Sequence, residues 1–363
     1  MRIRLEHIAW LLLLVFVVGG CQSVPTTSAI LRNQEGNYTL AIEQANLAIA
    51  QNPNDPEAFF QLGVSYSNLD SVSLAFSNFM KSVSLDPTEK RKELADNNIK
   101  HNYSKHYNTG QAAFQDKDLP AAVNEFMLAT QADPRQSVAY YNLGVTYSRL
   151  ATEDSTYHQK SINSLEECLE KATPDQSHYI PALGLVGKEL AEVGRVKEAV
   201  TRFERLVDED PSRYDVIEDL GISRFNRQDW VGAYTFLEMA ARARVKIGAE
   251  DFKIYYDLGR VNYFMREEDP EALGRAVDFY ERALELESQE TQTMLNLVIA
   301  YMAMEDWLSA VAWGEKYVQI LPDNEDGWRL LSMSYNKIGD KAKANNCAQK
   351  YADLMAKKKQ GSE

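Results

Sequence analysis

A small side chain returns along this chain at a nearly fixed spacing, and this repetition restricts the fold more than any other feature. The successive separations are 34, 47, 39, 38, 34, 43, 34 and 34 residues, so four of the eight are identical. A period in this range is typical of stacked repeats, in which no unit can bury its apolar face alone. The nine positions are Ala41, Ala75, Ala122, Ser161, Ala199, Ala233, Ala276, Ala310 and Ala344.

One period contains two amphipathic helices joined by a polar turn. In residues 56–89 the first apolar stripe has the i, i+3, i+4, i+7 spacing of a helix. Its members are Phe59, Leu62, Gly63 and Tyr66. The turn is Asp70–Ser71, and a second apolar stripe ends before Pro87, because proline cannot continue a helix.

A glycine on the first helix and a proline after the second recur in the same phase. They are Gly63, Gly110, Gly144, Gly187, Gly221 and Gly259, and Pro53, Pro87, Pro134, Pro211 and Pro322. This pattern resembles the tetratricopeptide repeat, a pair of antiparallel helices. The resemblance implies an all-α fold, a right-handed superhelical solenoid of about nine helix-turn-helix units over residues 27–358. The repeats are expected at about 22–55, 56–89, 103–136, 137–174, 180–213, 214–247, 252–290, 291–324 and 325–358, with a polar tail at 359–363.

Three insertions depart from the regular period. The charged stretch Lys90 to Asn102 is expected to lengthen the first helix of the third repeat. Two others, 151–159 and 266–271, fall in the turn within the fourth and the seventh repeat. The first repeat lacks the aromatic and glycine positions of its first helix, so we expect an incomplete N-terminal unit.

The N-terminus has the features of an export signal. Arg2 and Arg4 precede eleven apolar residues, Ile8 to Val18, which is too short a run to span a bilayer. The following Val18-Gly19-Gly20-Cys21 resembles a bacterial lipobox. The resemblance implies a signal peptide at 1–20, a lipid on Cys21 and a membrane-anchored tether at 21–26. The alternative is an ordinary or uncleaved signal in which Cys21 is incidental.

The charge and the reactive residues exclude several functional classes. With 39 basic and 53 acidic residues the net charge is −14, which repels nucleic acid and anionic lipid. No nucleophile–base arrangement is found, so we expect no catalytic residue, no metal, no cofactor and no enzymatic activity. Cys168 and Cys347 should be buried, reduced thiols. His101, His106, His158 and His178 lack metal-ligand spacing, and each is expected to be solvated at the surface.

An aromatic stripe separate from the core stripe runs along the first helices. In tetratricopeptide proteins this stripe lines the concave face, so the resemblance implies a partner-binding groove. The alternative is that the rings only fill space between adjacent first helices. The asparagine of the family's carboxylate-clamp members is absent, so recognition of a C-terminal carboxylate is not expected. The predicted groove residues are Phe60, Tyr107, Phe114, Tyr141, Phe225, Tyr256 and Tyr263.

These features predict a membrane-anchored scaffold that binds a protein or peptide partner in the bacterial cell envelope. The resemblance to tetratricopeptide lipoproteins implies attachment through the lipid on Cys21 at the periplasmic face of the outer membrane. Nucleic acid is not expected among the partners. The alternative is a lipoprotein that binds a glycan or takes part in polysaccharide export, because aromatic faces also stack on sugar rings.

Overall fold

The computed structural model describes residues 22–360, and these form eighteen α-helices, one short 3-10 helix and no strand. The predicted all-α repeat fold is confirmed. The predicted signal peptide and Cys21 lie outside the described residues. The helices are α1 Val24–Gln34, α2 Tyr38–Gln51, α3 Pro56–Asn68, α4 Val72–Leu85, α5 Glu89–Gln115, α6 Leu119–Ala132, α7 Ser137–Ala151, α8 Tyr157–Lys171, α9 Tyr179–Glu192, α10 Val196–Glu209, α11 Tyr214–Asn226, α12 Trp230–Lys246, α13 Phe252–Met265, α14 Ala272–Leu286, α15 Thr291–Ala303, α16 Trp307–Ile320, α17 Glu325–Lys337 and α18 Lys341–Gln360.

The chain divides into two compact units, with the boundary between Glu189 and Leu190. Within each unit the two helices of a repeat pack against each other, as α5 does with α6 and α13 with α14. The second helix then packs on the first helix of the next repeat, as α6 does on α7 and α14 on α15. Contacts between neighbours in sequence therefore build the core of each unit.

The two helices of a repeat approach most closely at the recurring glycine. A Cβ atom built on Gly63 would lie 2.5 Å from the ring of Phe79. One built on Gly221 would lie 2.7 Å from Leu237 Cγ and 3.0 Å from its backbone nitrogen. Phe79 and Leu237 are both fully buried, so neither has room to move aside. The glycines recur because a side chain at these positions would force the helices apart.

The turn within each regular repeat uses one residue in the left-handed backbone region. This residue is Gly36, Gly194 or Gly339 in three repeats, and a residue with a side chain in four others: Asp70, Lys117, Gln228 and Glu305, with φ from 56 to 64°. The amide that follows it reaches back to the carbonyl five residues earlier, as Asp118 N does to Ala113 O at 2.9 Å. This hydrogen bond satisfies a carbonyl that the end of the first helix would leave unpaired.

The insertion at 90–102 lengthens the first helix of the third repeat, as the sequence predicts. The resulting helix, α5, has 27 residues, whereas α3 has 13. Its added turns pack Ala95 and Ile99 against the core of the preceding repeat.

Helices occupy part of both predicted end segments. Within the tether expected over 21–26, α1 begins at Val24, and Ser23 caps it by accepting a hydrogen bond from Thr26 N. At the other end α18 continues to Gln360, past the start of the polar tail expected at residue 359.

Candidate functional site

Phe60, one of the seven predicted groove residues, belongs to the core instead. Its side chain is 9% exposed, and its ring centroid lies 5.4 Å from that of Phe79. The guanidinium of Arg91 lies 5.2 Å from the ring, held there by an ion pair with Glu57. Arg91 lies on the turns that the insertion adds to α5, so this insertion covers the position that a regular repeat would leave open.

The other three predicted residues of the first unit are half-buried. Tyr107 Oη accepts a hydrogen bond from Asn142 Nδ2 on α7 at 3.0 Å, and the Arg149 guanidinium lies 4.2 Å from the Phe114 ring. Both aromatic residues therefore contact the next first helix. Tyr141 lies 5.9 Å from the His178 ring. These contacts match the space-filling interpretation for Tyr107 and Phe114.

The second unit brings two predicted residues into one pocket. It lies between α13 and α15 and has a volume of about 290 Å³. Tyr256 and Tyr263 line it from α13, and Tyr280 of α14 is 2% exposed beneath them. The full lining is Tyr256, Arg260, Tyr263, Phe264, Tyr280, Gln292, Asn296 and Ile299.

Arg260 links this pocket to a third predicted residue, Phe225. Its guanidinium lies 4.4 Å from the Phe225 ring and 5.5 Å from the Tyr256 ring, and Nη1 donates to Asp257 at 3.2 Å. Burial raises the pKa of Asp257, although the neighbouring Arg260 opposes this shift. Two aromatic faces and one carboxylate thus fix the direction of a planar, permanently charged group.

The hydroxyls of Tyr256 and Tyr280 remain neutral hydrogen-bonding groups. Burial raises the pKa of Tyr256 and, more strongly, that of Tyr280. Gln292 and Asn296 add two side-chain amides, with Gln292 Nε2 donating to Asn296 Oδ1 at 3.2 Å. The pocket therefore offers aromatic surface, one cation and polar hydrogen-bonding groups.

Several residues of this site were not predicted. Arg260 could have been found, because it lies four residues after Tyr256 and three before Tyr263 on one helix face. Trp230 and Phe264 stack with centroids 4.8 Å apart at an interplanar angle of 11°, and Phe264 is 45% exposed. Trp230 and Phe264 belong to different repeats, so they come into contact only when the repeats stack.

The prediction of solvated histidines is wrong for His106, which is 2% exposed. Its Nδ1 lies 2.8 Å from Glu125 Oε2, and its Nε2 lies 3.7 Å from Asp70 Oδ1. His106 occupies the same repeat position as Phe59, which belongs to the core stripe of its helix. This shared position in the sequence could have predicted that His106 is buried. His158 is half-buried, with Nδ1 2.7 Å from Glu189 Oε2, whereas His101 is exposed as expected.

Other expectations about reactive groups concern the cysteines and metals. Cys168 and Cys347 are free and buried, as predicted. Burial raises the pKa of the Cys168 thiol to about 12. Residues 22–360 contain no group of three or more histidine, cysteine, aspartate or glutamate side chains placed to hold a metal ion. Within the same range no helix combines the length and apolarity needed to cross a bilayer.

The paired helices define a helical-repeat protein. Residues 56–89 match the family model described as tetratricopeptide repeat. The helix pair over these residues is therefore similar to the tetratricopeptide repeat, and repeats of that family are protein-interaction modules.

Individual relatives are distant. The chain is 22% identical over 339 residues to a BBSome complex member BBS4 homolog of Drosophila melanogaster, covering 92% of this chain and 64% of the relative. It is 25% identical over 242 residues to a DnaJ protein P58IPK homolog A of Oryza sativa subsp. japonica, covering 64% and 47%. The chain thus spans about half to two thirds of the length of these two relatives. A solved structure, the C-terminal part of a TPR repeat-containing protein from Cytophaga hutchinsonii, is 19% identical with a TM-score of 0.43, covering 68% of this chain and 95% of that one.

Proposed function

We propose that this protein is an adaptor of the bacterial cell envelope that binds a protein or peptide partner at the pocket between α13 and α15. The observation that supports it is the convergence of Tyr256, Arg260 and Tyr263 on one cavity. Tyrosine and arginine are enriched among residues that dominate binding energy at interfaces. The volume of about 290 Å³ lies at the low end of small-molecule sites, which span roughly 300–1,000 Å³. One large side chain of a partner would fill it.

The chemistry of the pocket sets how the partner is held. An apolar side chain packs between the Tyr256 and Tyr263 rings, and hydrogen-bond acceptors of the partner face Arg260 and the Asn296 amide. The comparisons do not favour the glycan-binding alternative.

Crosslinking in intact cells tests this proposal. A photoreactive amino acid replaces Gln292, which is exposed and lines the pocket, and a matched control replaces the exposed Gln319 on α16. The expected result is a defined protein adduct from position 292 that is absent from position 319. The adduct should disappear when Arg260→Gln or Tyr256→Ala is added. Identical adducts from both positions, unaffected by these substitutions, would contradict the proposal.

The location of the adaptor is proposed from the sequence around Cys21. A lipid on this cysteine would anchor the chain at the periplasmic face of the outer membrane. Residues 22 and 23 alone separate Cys21 from α1, so the first helix pair would lie next to the bilayer. Metabolic labelling with a radioactive fatty acid should mark the wild-type protein and not Cys21→Ala. Equal labelling of the two proteins would refute the anchor without affecting the pocket.

A further inference from the structure

The last described helix, α18, carries a charge opposite to that of the whole protein. Six lysines and one aspartate give its 20 residues a net charge of +5. Because the chain carries −14, the other 343 residues carry −19. All six lysine side chains are exposed: Lys341, Lys343, Lys350, Lys357, Lys358 and Lys359.

The lysines extend along the whole helix. Lys343, Lys350 and Lys357 follow at seven-residue intervals, which is close to two helical turns, so they fall within about 40° of one another around the axis. They span about 21 Å at 1.5 Å per residue. Some are also tied to the protein: Lys358 pairs with Glu325, and Lys343 Nζ lies 3.4 Å from Tyr335 Oη.

The apolar side of α18 is already used within the fold. Ala344 and Cys347 are 6% exposed, and Tyr351, Leu354 and Met355 are half-buried where α18 packs on α17. The helix therefore has no apolar face left to insert into a bilayer or into a partner's groove. What it presents outward is positive charge.

The need for a matched partner distinguishes an acidic protein from a lipid surface. An exposed lysine–carboxylate pair strengthens binding by fivefold at most and requires a matched carboxylate for every lysine. At an anionic membrane each lysine near the surface contributes about fivefold without any matched partner. Lysine is also a compact, hydrated charge without the fork that arginine uses to bind individual carboxylates. Both comparisons favour a diffuse anionic surface.

We propose that α18 is a docking surface for the phosphate headgroups of anionic lipids. The net charge alone predicts repulsion from such a membrane, but screening limits each charge to about 8 Å at physiological salt, so the local charge of the helix prevails. The contact is peripheral, with the helix lying on the headgroups. This inference goes beyond the proposed partner pocket and does not depend on it.

Vesicle binding by the full-length chain tests the docking surface. Vesicles of phosphatidylcholine alone are compared with vesicles that also contain phosphatidylglycerol, at low and at high salt. Arg2 and Arg4 also attract anionic lipid, so the contribution of the lysines is read from the difference between the wild-type chain and the lysine variants. The wild-type chain should prefer the anionic vesicles, and salt should abolish this preference. The triple variant Lys343→Gln, Lys350→Gln, Lys357→Gln, which removes the three lysines that share one side of the helix, should lose roughly 100-fold of this preference.

A second triple variant removes the same charge from elsewhere. Lys188→Gln, Lys197→Gln and Lys253→Gln change three exposed lysines outside α18 and should leave the preference intact. Circular dichroism checks that both variants remain folded. Equal losses in the two variants would overturn the proposal, because net charge alone would then explain binding. Absence of any anionic preference would also overturn it, as would binding to polyglutamate without binding to the vesicles, which would assign α18 to an acidic protein.

Discussion

Replacing Gly221 by alanine adds a methyl group that has two opposite effects on stability: it overpacks the core, and it lowers the entropy of the unfolded chain. Gly221 lies on α11, and its new Cβ would stand 2.7 Å from Leu237 Cγ and 3.0 Å from the Leu237 nitrogen. Overpacking a buried contact of this kind costs about 1–3 kcal/mol. The lower backbone entropy of alanine in the unfolded chain returns about 0.5–1 kcal/mol. The net expectation is a loss of about 0–2.5 kcal/mol in the free energy of unfolding.

Gly274 provides the matched control in the same unit. It lies near the start of α14, and a Cβ there would meet no heavy atom within 4 Å. Gly274→Ala should therefore stabilise the protein by about 0.5 kcal/mol. Urea unfolding followed by circular dichroism measures both variants, and the difference between them isolates the packing cost. A Gly221→Ala variant as stable as Gly274→Ala would refute the claim that glycine sets the approach of the two helices.

Three further predictions follow from the turns and the titratable groups. Lys117→Gly should raise the free energy of unfolding by about 1 kcal/mol, because Lys117 has φ of 64° and a side chain is strained there; an unchanged or lower urea midpoint would contradict this. Burial lowers the pKa of His178 from its ordinary value of 6.5, so the unfolded chain takes up a proton first as the pH falls. Stability should therefore decrease below about pH 6.5, and it should decrease less in His178→Gln. Melting temperatures that fall equally with pH in the two proteins, measured from pH 7.5 to 5, would refute this. Cys168 should react with a maleimide only after unfolding, read by peptide mass spectrometry, because burial raises its thiol pKa to about 12; rapid labelling of the native chain would contradict this.

The error at Phe60 shows how an insertion changes the meaning of a repeat position. By phase this ring belongs to the exposed stripe, together with Tyr107 and Tyr141. The turns added to α5 bring Arg91, Ala95 and Ile99 over it, so the ring becomes part of the core. The charged composition of the insertion predicted a longer helix but did not reveal where that helix would pack.

The helical pairs and their phase are determined by the sequence alone. Each pair depends on interactions between residues within one period, such as the contact of Gly63 with Phe79 or the turn at Asp70. Local interactions of this kind leave a pattern that can be read from the spacing of small, apolar and helix-ending residues.

The pocket between α13 and α15 was decided only by the tertiary structure. Tyr256, Tyr280 and Asn296 come from three different helices, α13, α14 and α15. They meet because the second helix of one repeat packs on the first helix of the next, and the depth of that packing depends on every side chain at the contact. The sequence placed aromatic residues on these helices, whereas only the packed repeats could show that Tyr256 and Tyr263 share a cavity and that Phe60 is buried.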